Sequence, residues 1–189
     1  MAVFEPRADV FTRRSVLFAA PVAIVAAYSR ATAEEPEPEV TIVEFNDSGK
    51  RTGELKVKKV VHTEAEWRKL LTLQQFYVTR KGANDLHHFG AYFKLHDAGL
   101  YRCIGCATAV FSSEAKFDSP SGFASFKAPI AEENIYTHVD PAEMPKVTRV
   151  FCKRCDSHLG ALYNDGPAPA KLRYSISESA VRFVPLAKK

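Results

Sequence analysis

The sequence predicts a mainly β protein with antiparallel sheets and short helices near its start. Three observations lead there. From Tyr92 onward, short runs rich in β-branched and aromatic residues alternate with clusters of Gly, Pro, Asp and Ser, the pattern of strands and turns. Between residues 63 and 77, two Thr-x-x-Glu/Gln boxes each precede a run with helical spacing. All four cysteines fall in two Cys-x-x-Cys units, one in each half of that β region.

Composition sets the outer limits. The chain has 189 residues, 46% of them hydrophobic and 25% charged, enough apolar material for a packed core and too much for wholesale disorder. Mean hydropathy is −0.18, and no apolar run reaches the roughly 18 residues that a membrane span requires. The net charge of +4 is too small to point to nucleic acid as a partner. Half of that surplus sits in residues 1–33, where Arg7, Arg13, Arg14 and Arg30 outweigh Glu5 and Asp9.

The first 33 residues read as an address. Thr12-Arg13-Arg14-Ser15-Val16-Leu17 resembles a twin-arginine export signal. An apolar stretch from Val16 to Ala27 follows, interrupted by Pro21 and too short to anchor in a membrane. Ala31-Thr32-Ala33 supplies the small residues of a cleavage site. The segment predicts a partner in the twin-arginine export machinery, a periplasmic or extracytoplasmic location, and no stable membrane anchor once the signal is cleaved. That route carries folded proteins, which suits a chain that must acquire a metal first.

The remaining elements follow in order. Residues 34–62 are expected to form a tether and N-terminal strands: the acidic, proline-rich run 34–39 is the tether, and Val40–Phe45 and Leu55–Val61 are the strands. Asn46-Asp47-Ser48-Gly49 and Gly53 lie between them, a connection too long to fix a hairpin register. Residues 63–189 are expected to form the zinc-binding domain. Thr63-Glu64-Ala65-Glu66 caps a helix carrying Trp67, Leu70 and Leu71, and Thr72-Leu73-Gln74-Gln75 caps a second with Phe76 and Tyr77. Strands are expected at 101–103, 109–111, 148–152, 161–163, 172–176 and 181–184.

Cys103-Ile104-Gly105-Cys106 and Cys152-Lys153-Arg154-Cys155 each present two sulfurs at the spacing of a zinc knuckle, and two knuckles complete a tetrahedral Zn2+ site. Such a site is closed and therefore structural. Gly105 suits a tight turn, and Arg102, Lys153 and Arg154 place positive charge beside it. Two disulfides are the competing reading in an oxidising compartment. A redox dithiol is the weaker one, since no βαβ pattern flanks either pair.

These runs, together with Gly99–Arg102, Phe111-Ser112-Ser113, Lys116–Ser119, Gly122-Phe123-Ala124-Ser125-Phe126, Asp156–Gly160, Asn164–Pro167 and Leu172-Arg173-Tyr174, resemble the methionine-R-sulfoxide reductase B family (the SelR domain). The likeness extends from about Thr63 to Pro185. It implies two antiparallel sheets forming an open, barrel-like core with helices outside, a four-cysteine zinc, and oxidised methionine in proteins or peptides as substrate. It also implies a chemistry: a cysteine thiolate attacks the sulfoxide sulfur, methionine leaves, and a second thiol resolves the sulfenic acid.

The departures cluster at that chemistry. The family's Arg-Tyr-Cys-Ile-Asn run is Arg173-Tyr174-Ser175-Ile176-Ser177 here, so Ser175 holds the nucleophile position and Ser177 the asparagine position. The family's second histidine, three residues after His158, is Ala161. Its tryptophan is Phe123, and its common resolving cysteine is Ser121. A serine hydroxyl is far less acidic than a thiol and needs a general base, and every cysteine is committed to the metal. The resemblance implies substrate-binding roles for Phe123, Phe126, Arg173 and Ser177, with His158 as a pocket acid. On their own chemistry, His158 can equally bond backbone near the metal, Arg173 can pair with Asp165, and Ser175 can be a small polar floor residue. No Gly-x-Ser-x-Gly turn surrounds Ser175. His87-His88 reads as a solvated loop pair. The expected function is an impaired reductase that binds methionine or its sulfoxide. An active peptide-methionine (R)-S-oxide reductase with an unusual reductant, and a zinc scaffold or metal-handling protein, are the alternatives.

Overall fold

The computed structural model describes residues 38–85 and 90–187. The export segment, the start of the tether and His87-His88-Phe89 lie outside the described residues. Among the described residues, no helix is long and apolar enough to cross a membrane.

The protein is mainly β and antiparallel, as expected, with its strands in three sheets. β1 (Glu39–Phe45) and β2 (Arg51–Lys58) form a two-stranded hairpin. Its register runs from Glu39 opposite Lys58 to Glu44 opposite Gly53, then slips at Phe45. β3 (Gly99–Cys103) and β4 (Ala109–Ser112) join the last strand, β11 (Val181–Pro185), in the order β11-β3-β4. The largest sheet has six strands in the order β5-β6-β10-β9-β8-β7. These are β5 (Lys116–Phe117), β6 (Ala124–Phe126), β7 (Ile135–Val139), β8 (Thr148–Cys152), β9 (His158–Tyr163) and β10 (Arg173–Ile176). β5 and β7 are its two edges, so the sheet is open. Two antiparallel sheets forming an open, barrel-like core were expected; two larger antiparallel sheets and a separate hairpin are found.

The two larger sheets meet through aromatic side chains. Phe126 stacks on Phe111 with ring centroids 4.7 Å apart and meets Tyr101 edge-on at 4.8 Å. Tyr174 and Ile176 of β10, Val150 of β8 and Leu159 of β9 complete this core. A second, smaller cluster joins Val43 and Phe45 of the hairpin to Leu100 and Ala109. Each fully buried aromatic contributes about 1.5–3 kcal/mol of transfer free energy, so the sheet–sheet contact is a large share of the apolar burial.

Both helices form where their capping boxes predict. In α1 (Glu64–Leu70), Glu66 N–H donates to Thr63 Oγ1 at 3.3 Å, and Glu66 Oε2 accepts from Thr63 N–H at 2.8 Å. In α2 (Leu73–Lys81), Thr72 and Gln75 repeat the exchange at 3.3 and 3.0 Å. Gly82 ends α2 with φ +70°, a left-handed cap that glycine adopts without strain. α2 lies against the six-stranded sheet, where its carbonyls meet His158 and Arg149.

Candidate functional site

The two Cys-x-x-Cys units fold into equivalent knuckles. Ala107 N–H donates to Cys103 O at 2.8 Å, and Asp156 N–H to Cys152 O at 3.0 Å. Cys103 N–H donates to Thr108 O at 2.8 Å, and Cys152 N–H to Ser157 O at 2.9 Å. The residue after each second cysteine is left-handed, Ala107 at φ 61° and Asp156 at φ 54°. Gly105 is required by close approach: a Cβ there would meet Ser157 Oγ at 2.8 Å and Cys155 Sγ at 3.3 Å.

The four sulfurs lie within 4.8 Å of one another. Cys103–Cys155 and Cys106–Cys152 approach to 3.5 Å, well beyond the roughly 2.05 Å of a disulfide. A tetrahedral zinc with bonds of about 2.3 Å fits sulfurs at such spacing. Four buried thiols crowded together also titrate apart. Bonds from Cys103, Cys106 and Cys152 hold Cys155 far below the usual thiol range. Cys106 pushes Cys103 well above it, and Cys103 does the same to Cys152. The donor set fits structural zinc, and the four-cysteine reading prevails over two disulfides.

Outer contacts steady the site. Arg80 of α2 donates to Cys155 O and to Ser157 Oγ, both at 2.7 Å, and Ser157 Oγ lies 3.1 Å from Cys155 Sγ. The Arg80 guanidinium stacks 3.6 Å above Trp67, so a cation is fixed beside the thiolates. Tyr136 reaches Asp156 at 3.1 Å, and burial pushes its phenol up to about 12.

Ser175 sits at the centre of the six-stranded sheet, on the face away from the core. Directly opposed residues share a face, so the pairs Ser125–Ser175, Ser175–Ala161, Ala161–Arg149 and Arg149–His138 form one row across five strands. Phe151 pairs with His158 one step along the same face. Ser175 is 7% exposed, and its hydroxyl has no hydrogen-bond partner among the described residues. The missing histidine position, Ala161, is its direct cross-strand neighbour, about 5 Å away between Cβ atoms in such pairs.

The other expected site residues divide by face. Arg173 lies next in line on the Ser175 face and grips Asp165 with two bonds of 2.7 and 2.8 Å, so the acid-pairing reading of Arg173 is the one found. The guanidinium holds the Asp165 carboxyl below the usual carboxylate range, and it packs 4.4 Å from the Tyr163 ring centroid. His158 is 3% exposed, with Nδ1 3.2 Å from Val78 O, and burial pushes its imidazole down. Phe126 corrects the expectation of a substrate wall: it points to the opposite face and is wholly inside the aromatic core. Ser177 is buried and leads into the 3₁₀ turn Glu178–Ala180, its N–H bonded to Leu159 O at 2.9 Å.

Two cavities flank Ser175 on its own face. One, of about 620 Å³, is lined by His158, Phe151, Arg149 and Glu143. The other, of about 510 Å³, is lined by Phe117, Ser119, Ser121, Asp165 and Arg173. A third, of about 350 Å³, has Phe123 in its wall beside Gln74, Asp85 and Glu178. Burial pushes the Glu178 carboxyl up.

Sequence reasoning missed a hydroxyl chain at this site. Ser119 Oγ contacts Ser121 Oγ at 2.8 Å and Ser125 Oγ at 2.7 Å, and Ser125 donates to Phe123 O at 3.2 Å. The signal was available: Ser119, Ser121 and Ser125 recur at even spacing around Gly122, the period that keeps side chains on one face of a strand.

Comparison with known proteins converges on one group. A protein-family model described as the SelR domain matches residues 71–185. "Peptide methionine sulfoxide reductase MsrB" of Herminiimonas arsenicoxydans is 40% identical over 126 residues, 67% of this chain and 92% of that protein. Its namesake in Hahella chejuensis is 38% identical over 125 residues, 66% and 90% of the two chains. That of Pseudomonas aeruginosa is 39% identical over 119 residues, 63% and 90%.

Proposed function

From the premise that the chain belongs to the SelR-domain family, the methionine-R-sulfoxide reductase class, we propose that it retains recognition of oxidised methionine in proteins or peptides but is impaired in turnover. The carrying observation is the row Ser125–Ser175–Ala161: the nucleophile position holds a hydroxyl with no hydrogen-bond partner among the described residues, flanked by another hydroxyl and a methyl group.

The chemistry supports this reading. Oxygen transfer from a sulfoxide to a thiol gives a sulfenic acid, which a second thiol reduces to a disulfide. The same transfer to Ser175 would give a hydroperoxide, with a weak O–O bond in place of an S–O bond. The titratable groups described on this face are engaged elsewhere: Glu143 is paired with Arg149 at 2.7 Å, and His158 bonds α2. The four thiols are gathered at the knuckles, while Ser175 lies opposite the far part of β9. Recognition is assigned to what remains. Phe123 supplies an apolar wall, Arg173 a donor held by Asp165, Ser177 a small residue at the end of β10, and His158 a neutral ring in the larger cavity. Zinc acts structurally in this scheme.

The N-terminal sequence supports export by the twin-arginine route, with cleavage after Ala33 and a periplasmic location. The mass of the chain recovered from a periplasmic fraction tests that: a mature chain beginning at Glu34 is expected, and a full-length cytoplasmic chain would overturn it.

The functional test mixes the mature protein with a methionine-R-sulfoxide peptide and dithiothreitol, beside Ser175→Cys and Ser175→Cys/Ala161→His. Expected are saturable binding without turnover in the unmodified protein, measurable turnover with Ser175→Cys, and more with the pair. Turnover by the unmodified protein, or absence of saturable binding, would defeat the reading.

A further inference from the structure

We propose that the N-terminal hairpin and the segment behind it are the outer wall of the zinc site, a strap that locks both knuckles and controls how fast the metal leaves. The hairpin and this segment, residues 39–60, precede the residues that match the family, 71–185, and no ligand lies in them. Their hydrogen bonds nevertheless converge on the metal-binding turns.

Four contacts make the strap. Val60 N–H donates to Arg154 O at 2.8 Å, inside the second knuckle between its two cysteines. Lys59 Nζ meets both carboxylate oxygens of Asp156, at 2.7 and 2.6 Å, and Asp156 is the left-handed residue that closes that knuckle. On the first knuckle, Arg102 donates to Phe45 O at 2.8 Å and to Ala107 O at 3.3 Å, and Ala107 is the equivalent left-handed residue. Asn134 then ties everything together. Its side chain accepts from Val43 N–H at 2.7 Å and donates to Val43 O and Ala109 O, both at 2.8 Å. Its own carbonyl accepts from Lys153 N–H at 3.0 Å, in the second knuckle. One buried amide thus joins hairpin, first-knuckle strand and second knuckle.

The physical consequence follows from the knuckle backbone. Ala107 and Asp156 occupy the left-handed region, which alanine resists and aspartate tolerates only more readily than most side chains, and such residues persist where the surroundings hold them. Lys59 and Arg102 hold them. A void of only about 50 Å³ is lined by β1 together with Arg102, Thr108 and Arg154, so the hairpin lies against the knuckle strands, while Ala107 and Asp156 themselves stay exposed. Opening a knuckle to a competing ligand therefore requires the strap to lift.

The test follows zinc release from the full mature chain into excess pyridylazoresorcinol, with zinc content measured first. Lys59→Met removes the ion pair, Val60→Pro removes the N–H that reaches Arg154, and Leu55→Ala on the exposed outer strand serves as control. Val60→Pro is expected to release zinc about tenfold faster, the effect of losing one backbone hydrogen bond, and Lys59→Met a few-fold faster, the effect of losing a partly exposed ion pair, while the global unfolding rate in urea and the control stay unchanged. Release that is unaltered in Lys59→Met, or that rises only in step with global unfolding, would overturn the proposal, as would a mature chain that holds no zinc. No reductase assay enters the readout, so the result is independent of what the Ser175 pocket binds.

Discussion

Strand β9 has two ends with opposite fates. Its first residues follow the second knuckle, where each turn is closed by backbone bonds, a left-handed residue and a side-chain cation. Its far part carries Ala161 opposite Ser175, where a hydroxyl meets a methyl group and makes no hydrogen bond among the described residues. The knuckle end is the interaction on which the fold depends. The Ser175 end is a place the fold merely positions. Register and knuckle geometry are therefore set at one end of β9 and do not depend on the groups that face Ser175 at the other.

That contrast predicts a ranking. Cys152→Ser breaks the knuckle end outright. Structural zinc in small domains is worth on the order of 10 kcal/mol, comparable to the whole net stability of a domain. The variant is expected to lose its cooperative thermal transition in circular dichroism; a normal transition with zinc absent would erase the distinction. Asn134→Ala leaves a buried N–H and two buried carbonyls without partners. A loss of about 3 kcal/mol is expected, read as a lower urea midpoint at constant slope.

A smaller effect is expected from His158. Burial depresses its folded-state pKa, so between that value and the ordinary one of about 6.5 the unfolded chain binds a proton that the folded chain refuses. Stability from this group is fully present above about pH 6.5 and falls as the solution is acidified below it. His158→Gln should flatten the stability profile between pH 5.5 and 7 relative to the unmodified protein; an unchanged slope would show that the imidazole does not titrate this way. Smallest of all is Ser175→Ala. With no hydrogen bond to lose, the change is expected to shift unfolding free energy by less than about 1 kcal/mol. A larger loss would mean that the Ser175 end also supports the fold.

Much of the architecture was legible in the chain itself. The capping boxes at Thr63 and Thr72 specify helix starts through side-chain bonds three residues long, and both formed. The paired Cys-x-x-Cys spacing encodes a local turn, and both knuckles formed. β7 was missed, although Ile135-Tyr136-Thr137 is β-branched and aromatic, because the run is short and opens after the polar Glu132-Glu133-Asn134. For Phe126 the sequence left core and pocket wall both open, and strand alternation with Ser125 agrees with the inward direction found. What no local pattern holds is register. That Ala161 faces Ser175 depends on how β9 and β10 align, and that Asn134 is a junction depends on partners at Val43 and Ala109. Those facts belong to the assembled sheets.

The Asn134 junction also orders events in time. Val43 and Asn134 lie 91 residues apart in the chain, so their contact closes a long loop, and such contacts form after nearer ones have reduced the entropy of closure. The hairpin should dock late in folding and detach early under mild denaturant, as a cooperative unit of its own. The amide proton of Val43, held by one side-chain oxygen, is then a clock for that detachment, and its exchange with deuterium would time the hairpin's lifting while the aromatic core stays closed.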